Sequence, residues 1–189
     1  MAICPNNEKL LVHTSNFRKV KRVEDVMAVF FNIQKKIPAK LLLVGDGPER
    51  NHIESLCREY NVCDHARFLG KLEAVEEVLS VADLFIMPSE KESFGLAALE
   101  AMACEVPVIS TNAGGIPELN IQGVTGFMSN VGDVADMTKN ALHILDDKNL
   151  ATFKKNALSR AKEFDIQNIL PLYEAYYEKV MQKMKISLA

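Results

Sequence analysis

Short apolar runs alternate along the chain with longer segments whose apolar residues recur every three or four positions. Leu10–His13 follows the polar stretch Asn6–Lys9 and reads as a buried strand. Val23, Val26, Met27, Phe30 and Ile33 then fall on one helical face, predicting an amphipathic helix over Val23–Lys36. Lys40–Val44 is the next strand, stopped by Gly45-Asp46-Gly47-Pro48, and Pro48 suits the first turn of a helix running to Tyr60. The pattern continues with strands at Arg67–Leu69, Leu84–Met87, Pro107–Ser110 and Gly126–Met128. Helices are predicted over Val75–Val81, Phe94–Cys104, Val134–Leu145, Leu150–Glu163 and Ile169–Met184.

Nearly continuous apolar strands separated by helices predict a parallel sheet covered on both faces, an α/β doubly wound, Rossmann-like domain. Such sheets bind ligands at the carboxyl ends of their strands. The loops Thr14–Arg22, Gly45–Glu49, Ser89–Gly95 and Thr111–Pro117 are expected to gather there. The three closing helices exceed what the sheet needs for cover.

At 189 residues the chain suits one domain, 1–189, with a single sizeable core. A net charge of −3 provides no basic field for nucleic acid or an acidic membrane. No apolar run has the length of a membrane span, and Met1–Leu10 lacks a signal-peptide pattern. Cys4, Cys57, Cys63 and Cys104 form no C-x-x-C pair. The last three lie in apolar stretches and read as buried free thiols, which points to a reducing, cytoplasmic setting.

The loop Ser89–Gly95 carries the first candidate chemistry. A strand ends, Ser93 offers an N-cap, and a helix opens whose N–H groups and dipole make an anion site. Glu92 and Glu100 flank it and suit hydroxyls better than phosphate, a layout fitted to a sugar nucleotide. The plainer reading is a capped helix with solvated glutamates. Arg18, Lys19, Lys21 and Arg22 crowd the end of the first strand, as a phosphate site or as a solvated basic face. Gly114-Gly115 either lines the cleft or is a simple turn. His13, at a strand end, is a structural histidine or a ligand contact. There is no G-x-G-x-x-G after the first strand, no Walker lysine loop and no G-x-S-x-G elbow.

Glu92-Ser-Phe-Gly-Leu-Ala-Ala-Leu-Glu100 resembles the E-x7-E motif of the retaining glycosyltransferases of family 4, which have the GT-B fold. The resemblance extends through Val44-Gly-Asp-Gly-Pro-Glu49, Arg67-Phe-Leu-Gly70, Val106-Pro-Val-Ile, Gly114-Gly-Ile-Pro-Glu118 and Gly123-x-Thr-Gly-Phe127. It covers nearly the whole chain and implies the C-terminal, donor-binding half of such an enzyme. The N-terminal acceptor domain is then absent, and Met1 is read as the start of a fragment with little activity alone. His13–Val23 and Glu90–Gly95 further resemble the branch that transfers N-acetylglucosamine from UDP-N-acetylglucosamine to L-malate in bacillithiol synthesis.

By position, the resemblance implies that Glu100 binds the ribose and Glu92 the hydroxyls of the donor sugar. Backbone amides of Ser93, Phe94, Gly95 and Leu96 meet the sugar and pyrophosphate. Lys21 is the diphosphate lysine, and Glu92 and Lys21 are the catalytic pair. Arg67 and Phe68 hold the uracil, with Gly45, Asp46 and Gly47 close by. Ser15-Asn16 stand where the family has Gly-Arg, which leaves Arg18 as the substitute phosphate arginine. Glu105 replaces the family's glycine after Met-Ala-Cys. No metal or cofactor beyond the nucleotide sugar is implied. A free-standing nucleotide-sugar-binding module, or a family 4 enzyme with another donor and acceptor, is the alternative. An unrelated doubly wound domain, such as a receiver, would need clustered strand-end aspartates that the chain lacks.

Overall fold

The computed structural model describes residues 8–187. Six parallel strands run in the order β3-β2-β1-β4-β5-β6, the doubly wound arrangement that the sequence predicts. They are β1 (Lys9–Ser15), β2 (Ala39–Gly45), β3 (Ala66–Gly70), β4 (Leu84–Met87), β5 (Val108–Thr111) and β6 (Gly126–Ser129). The helices are α1 (Val23–Gln34), α2 (Arg50–Glu59), α3 (Val75–Leu79), α4 (Leu96–Ala103), α5 (Ile116–Leu119), α6 (Val134–Leu145), α7 (Asp147–Glu163) and α8 (Ile166–Ser187). A 3₁₀ turn, Lys19–Lys21, precedes α1.

Alternation along each strand divides the core between the two faces of the sheet. Leu11, Leu41, Leu43, Leu84, Ile86 and Ile109 join the apolar stripe of α1, with α2 and α6. Leu10, Val12, Leu42, Phe85, Met87 and Val108 point the other way, onto α4 and α7. Residues buried on both faces explain why these strands read as continuous apolar runs rather than as alternating ones.

The elements follow the predicted pattern with local differences that have identifiable causes. Helix α4 begins at Leu96, not Phe94, because Gly95 precedes it at φ 95°. Ser93 is therefore not its N-cap, and no side chain caps this helix. Helix α7 starts earlier than predicted, where the Asp146 carboxylate accepts the Lys148 N–H. Helix α5 and the 3₁₀ turn are too short to leave a periodic signal.

Cys57 is buried, Cys104 is half-buried and Cys63 is exposed, so the expectation of a buried thiol fails at Cys63, which follows a turn. Cys4 lies outside the described residues. Glu105 adopts φ 63°, the left-handed backbone for which glycine is suited.

Candidate functional site

The strand order reverses between β1 and β4, and the loops leaving these two strands part there to open a cleft. A cavity of about 420 Å³ lies in it, lined by Thr14, Ser15, Asn16, Lys21 and the run Glu92–Ala97. A second cavity, of about 380 Å³, adjoins it and shares Lys21, Glu92 and Ser93, with Glu90, Lys91 and Gly114 on its far side.

Each wall takes its shape from the chain beside it. The Glu90 N–H donates to the Val20 carbonyl at 2.8 Å, tying the loop after β4 to the turn that carries Lys21. Behind Glu92, a Cβ on Gly114 would lie 1.8 Å from the Glu92 carbonyl oxygen, so only glycine lets the loop after β5 support the site. Gly45 makes the matching approach on the other side, where a Cβ would lie 1.7 Å from the Ser15 carbonyl oxygen. Gly114-Gly115 thus serves both as cleft lining and as close packing.

At the centre of the cleft the Lys21 ammonium donates to the Glu92 carboxylate at 2.6 Å, with both side chains about one-fifth exposed. An ammonium has three donors, so Lys21 can hold Glu92 and still meet an anion. The first turn of α4 faces the same space with N–H groups that have no partner within the helix. A fixed cation and a helix N-terminus on one side of a carboxylate can take an anion and a hydroxyl side by side. The Phe94 ring is turned away, edge-on to Phe164 at 5.4 Å, which leaves only its backbone for a ligand.

His13 is fully buried beneath this floor. Its Nδ1–H donates to the Ile86 carbonyl at 2.8 Å, and its Nε2 accepts the Ser15 hydroxyl at 2.8 Å. The Ser15 oxygen in turn accepts the Phe17 N–H at 3.2 Å. The carbonyl can only accept, so Nδ1 carries the proton and the ring is neutral. Burial is the main cause that lowers its pKa to about 4, and the charge on Lys21 adds to the effect. His13 is a structural residue that fixes Ser15.

The other predicted residues lie elsewhere. Arg18 is exposed at the start of the 3₁₀ turn and does not line the cavity. Arg22 is paired with Asp25 at 2.6 Å, so the basic cluster splits and Lys21 alone of the four enters the cleft. Glu100 is exposed on α4 and lines a separate hollow of about 300 Å³ with Glu73 and Glu76. Arg67 and Phe68 stand on β3, where Arg50 covers the Phe68 ring at 5.6 Å. Gly45 ends β2 and packs on Ser15, and Gly47 packs on Asn16, while the Asp46 carboxylate between them accepts the Gly47 N–H. Thr14 and Asn16 also line the cavity, in the loop Thr14–Arg22 that the sequence places at the carboxyl end of the first strand. Among the described residues, no cluster of histidine, cysteine, aspartate and glutamate could hold a metal ion, and no helix is long and apolar enough to cross a membrane.

Residues 4–160 match the family of glycosyl transferases group 1. The chain belongs to this family. It is 46% identical over 184 residues to the N-acetyl-alpha-D-glucosaminyl L-malate synthase of Bacillus anthracis, spanning 95% of this chain and 48% of that protein. To the sulfoquinovosyl transferase SQD2 of Arabidopsis thaliana it is 36% identical over 132 residues, 67% of this chain and 25% of that one. This glycosyltransferase chain therefore spans about half the length, or less, of these curated relatives.

Solved glycosyltransferases share its fold. The sucrose-phosphate synthase of Thermosynechococcus elongatus superposes with a TM-score of 0.82 at 30% identity, over 95% of this chain and 47% of that one. The pneumococcal O-GlcNAc transferase GtfA, solved with UDP and GlcNAc, gives 0.83 at 17% identity, over 93% and 37%. The fold is the Rossmann-like half of a GT-B glycosyltransferase, as the motifs imply.

Proposed function

We propose that this chain is the donor-binding half of a retaining, family 4 glycosyltransferase that moves N-acetylglucosamine from UDP-N-acetylglucosamine to L-malate. The observation that carries the reading is Lys21 held on Glu92 against the first turn of α4, in the cleft where the strand order reverses. The 46% identity to the L-malate synthase supports the choice of donor and acceptor.

In this reading the diphosphate lies against the Lys21 ammonium and the N–H groups from Ser93 to Leu96, and Arg18 supplies a further cation at the rim. Glu92 accepts from the sugar hydroxyls, and Glu100, on the neighbouring hollow, from the ribose. The uracil sits towards Arg67 and Phe68, with the Gly45–Gly47 turn beside it. As the bond from the sugar C1 to the diphosphate oxygen breaks, Lys21 and the helix N-terminus stabilise the charge left on UDP. The malate hydroxyl oxygen bonds to C1 from the same face, and its proton passes to the leaving phosphate. Glu92 positions the sugar and forms no bond to it.

A domain N-terminal to this one supplies the acceptor site. The exposed apolar side chains on α8, including Ile166, Tyr173, Tyr176 and Tyr177, support a covering partner of that kind. The test is to assay the chain joined to that domain with UDP-N-acetylglucosamine and L-malate. An α-linked N-acetylglucosaminyl malate, identified by NMR, is expected; a β linkage contradicts retention. Transfer to other hydroxy acids but not to malate contradicts the acceptor.

A further inference from the structure

Asn16 follows β1 in the loop that carries Lys21, and it is exposed and lines the larger cavity. A short polar side chain in a loop commonly bonds a neighbouring backbone group. Asp46 does so in the adjacent turn, where its carboxylate accepts the Gly47 N–H at 2.9 Å. The Asn16 carboxamide makes no such bond, and among the described residues its side chain has no partner. Two N–H donors and an acceptor are left at the wall of the cleft.

The backbone on either side holds this residue in place. The Ser15 hydroxyl is bonded to the buried His13 at 2.8 Å, and its oxygen accepts the Phe17 N–H at 3.2 Å. The Phe17 carbonyl accepts the Glu49 N–H at 3.0 Å, and a Cβ on Gly47 would lie 2.0 Å from the Asn16 carbonyl oxygen. Phe17 is fully buried at φ 36°, a backbone that a bulky residue keeps only where its surroundings impose it. Arg22, at the far end of the loop, is also left-handed, at φ 48°. Each of these strained residues directly follows one that lines the cavity, Asn16 in the first case and Lys21 in the second. Strain of this kind gathers where a loop presents groups to a ligand.

We infer that Asn16 binds the donor's diphosphate, its carboxamide N–H groups donating to phosphate oxygens from the β1 side of the cleft. This role rests on the donor site proposed above and adds a binding group on the wall formed by the loop leaving β1. Charge selects the ligand atoms. The two charged side chains that line this cavity, Lys21 and Glu92, balance each other. An anion there is met chiefly by uncharged donors, the N–H groups at the start of α4 and the carboxamide of Asn16. A hydrogen bond to a charged acceptor is about twice as strong as a neutral one, so an amide suffices where no second cation stands.

NMR titrations of the chain with UDP and with uridine test this, since they read weak binding as well as tight. Asn16→Ala should weaken UDP about tenfold. Asn16→Asp, which keeps the shape but offers only acceptors and a negative charge, should weaken it about 100-fold. Uridine should bind both variants as it binds the parent. Lys21→Ala is titrated beside them. UDP weakened by Lys21→Ala but unchanged in both Asn16 variants overturns the role of Asn16 and leaves the donor site standing. A parent chain that binds no UDP overturns both. Equal losses for UDP and uridine would place Asn16 at the nucleoside and overturn its role at the phosphates. The Asn16 side chain is exposed and unpartnered, so neither substitution removes a contact within the fold, and the amide spectra of the free variants check this.

Discussion

Lys21 donates to Glu92 at 2.6 Å across the seam between the loops leaving β1 and β4. Residues 71 positions apart are joined at the one place where the sheet order reverses. The pair holds a cation ready beside the first turn of α4, which would otherwise present dipole alone. Lys21→Ala is predicted to weaken UDP binding roughly 10- to 100-fold, the worth of a hydrogen bond to a charged group. Glu92→Gln should leave UDP binding intact, since it removes a negative charge near the phosphates, and weaken only the sugar nucleotide. Calorimetry with both ligands separates these effects. Equal losses for UDP and the sugar nucleotide in Glu92→Gln would refute its role at the sugar.

His13 gives the site floor a pH limit. Its folded pKa of about 4 lies below the ordinary value of 6.5, so between these values the unfolded chain binds the extra proton. Stability from the neutral ring is complete above about pH 6.5 and is lost as the pH falls towards 4, to a total of about 3 kcal/mol. Urea denaturation across this window should show that slope, and His13→Asn should flatten it. An unchanged slope in the variant would mean that other groups carry it.

Glu105 is a point of backbone strain on the surface. Left-handed backbone costs a side chain about 1–2 kcal/mol, and glycine gives back about 0.5–1 kcal/mol through its freer unfolded chain. Glu105→Gly is therefore predicted to stabilise the fold by up to about 1 kcal/mol without changing nucleotide affinity. A urea midpoint that falls in this variant would contradict the assignment of strain.

Gly114→Ala sets a Cβ into the Glu92 carbonyl oxygen. The loop must move, so the loss in stability should exceed the ~1–2 kcal/mol of left-handed backbone alone, and nucleotide binding should weaken with it. Wild-type affinity in a folded Gly114→Ala protein would show that the loop after β5 does not set the position of Glu92.

The sheet was legible because buried parallel strands are short apolar runs, and Leu41–Val44 or Leu84–Met87 read as little else. The run Glu92–Leu96 was legible as a helix entry, but its cap was not. Gly95 takes a conformation that a sequence permits without announcing it, so Ser93 looked like the capping residue. Four basic residues within five positions gave no means of telling which enters the cleft. Only the 3₁₀ turn and the Arg22–Asp25 pair separate Lys21 from its neighbours. The support from Gly45 and Gly114 was hidden for a related reason, since it depends on which loops lie side by side across the sheet.

The most direct test is a calorimetric titration of the chain with UDP and UDP-N-acetylglucosamine, beside ADP, GDP and NAD, repeated with Lys21→Ala and Glu100→Ala. Binding selective for the uridine nucleotides, and weakened in both variants, is the predicted result. A folded protein that prefers another nucleotide, or that binds UDP equally well without Lys21, would contradict the donor site described above.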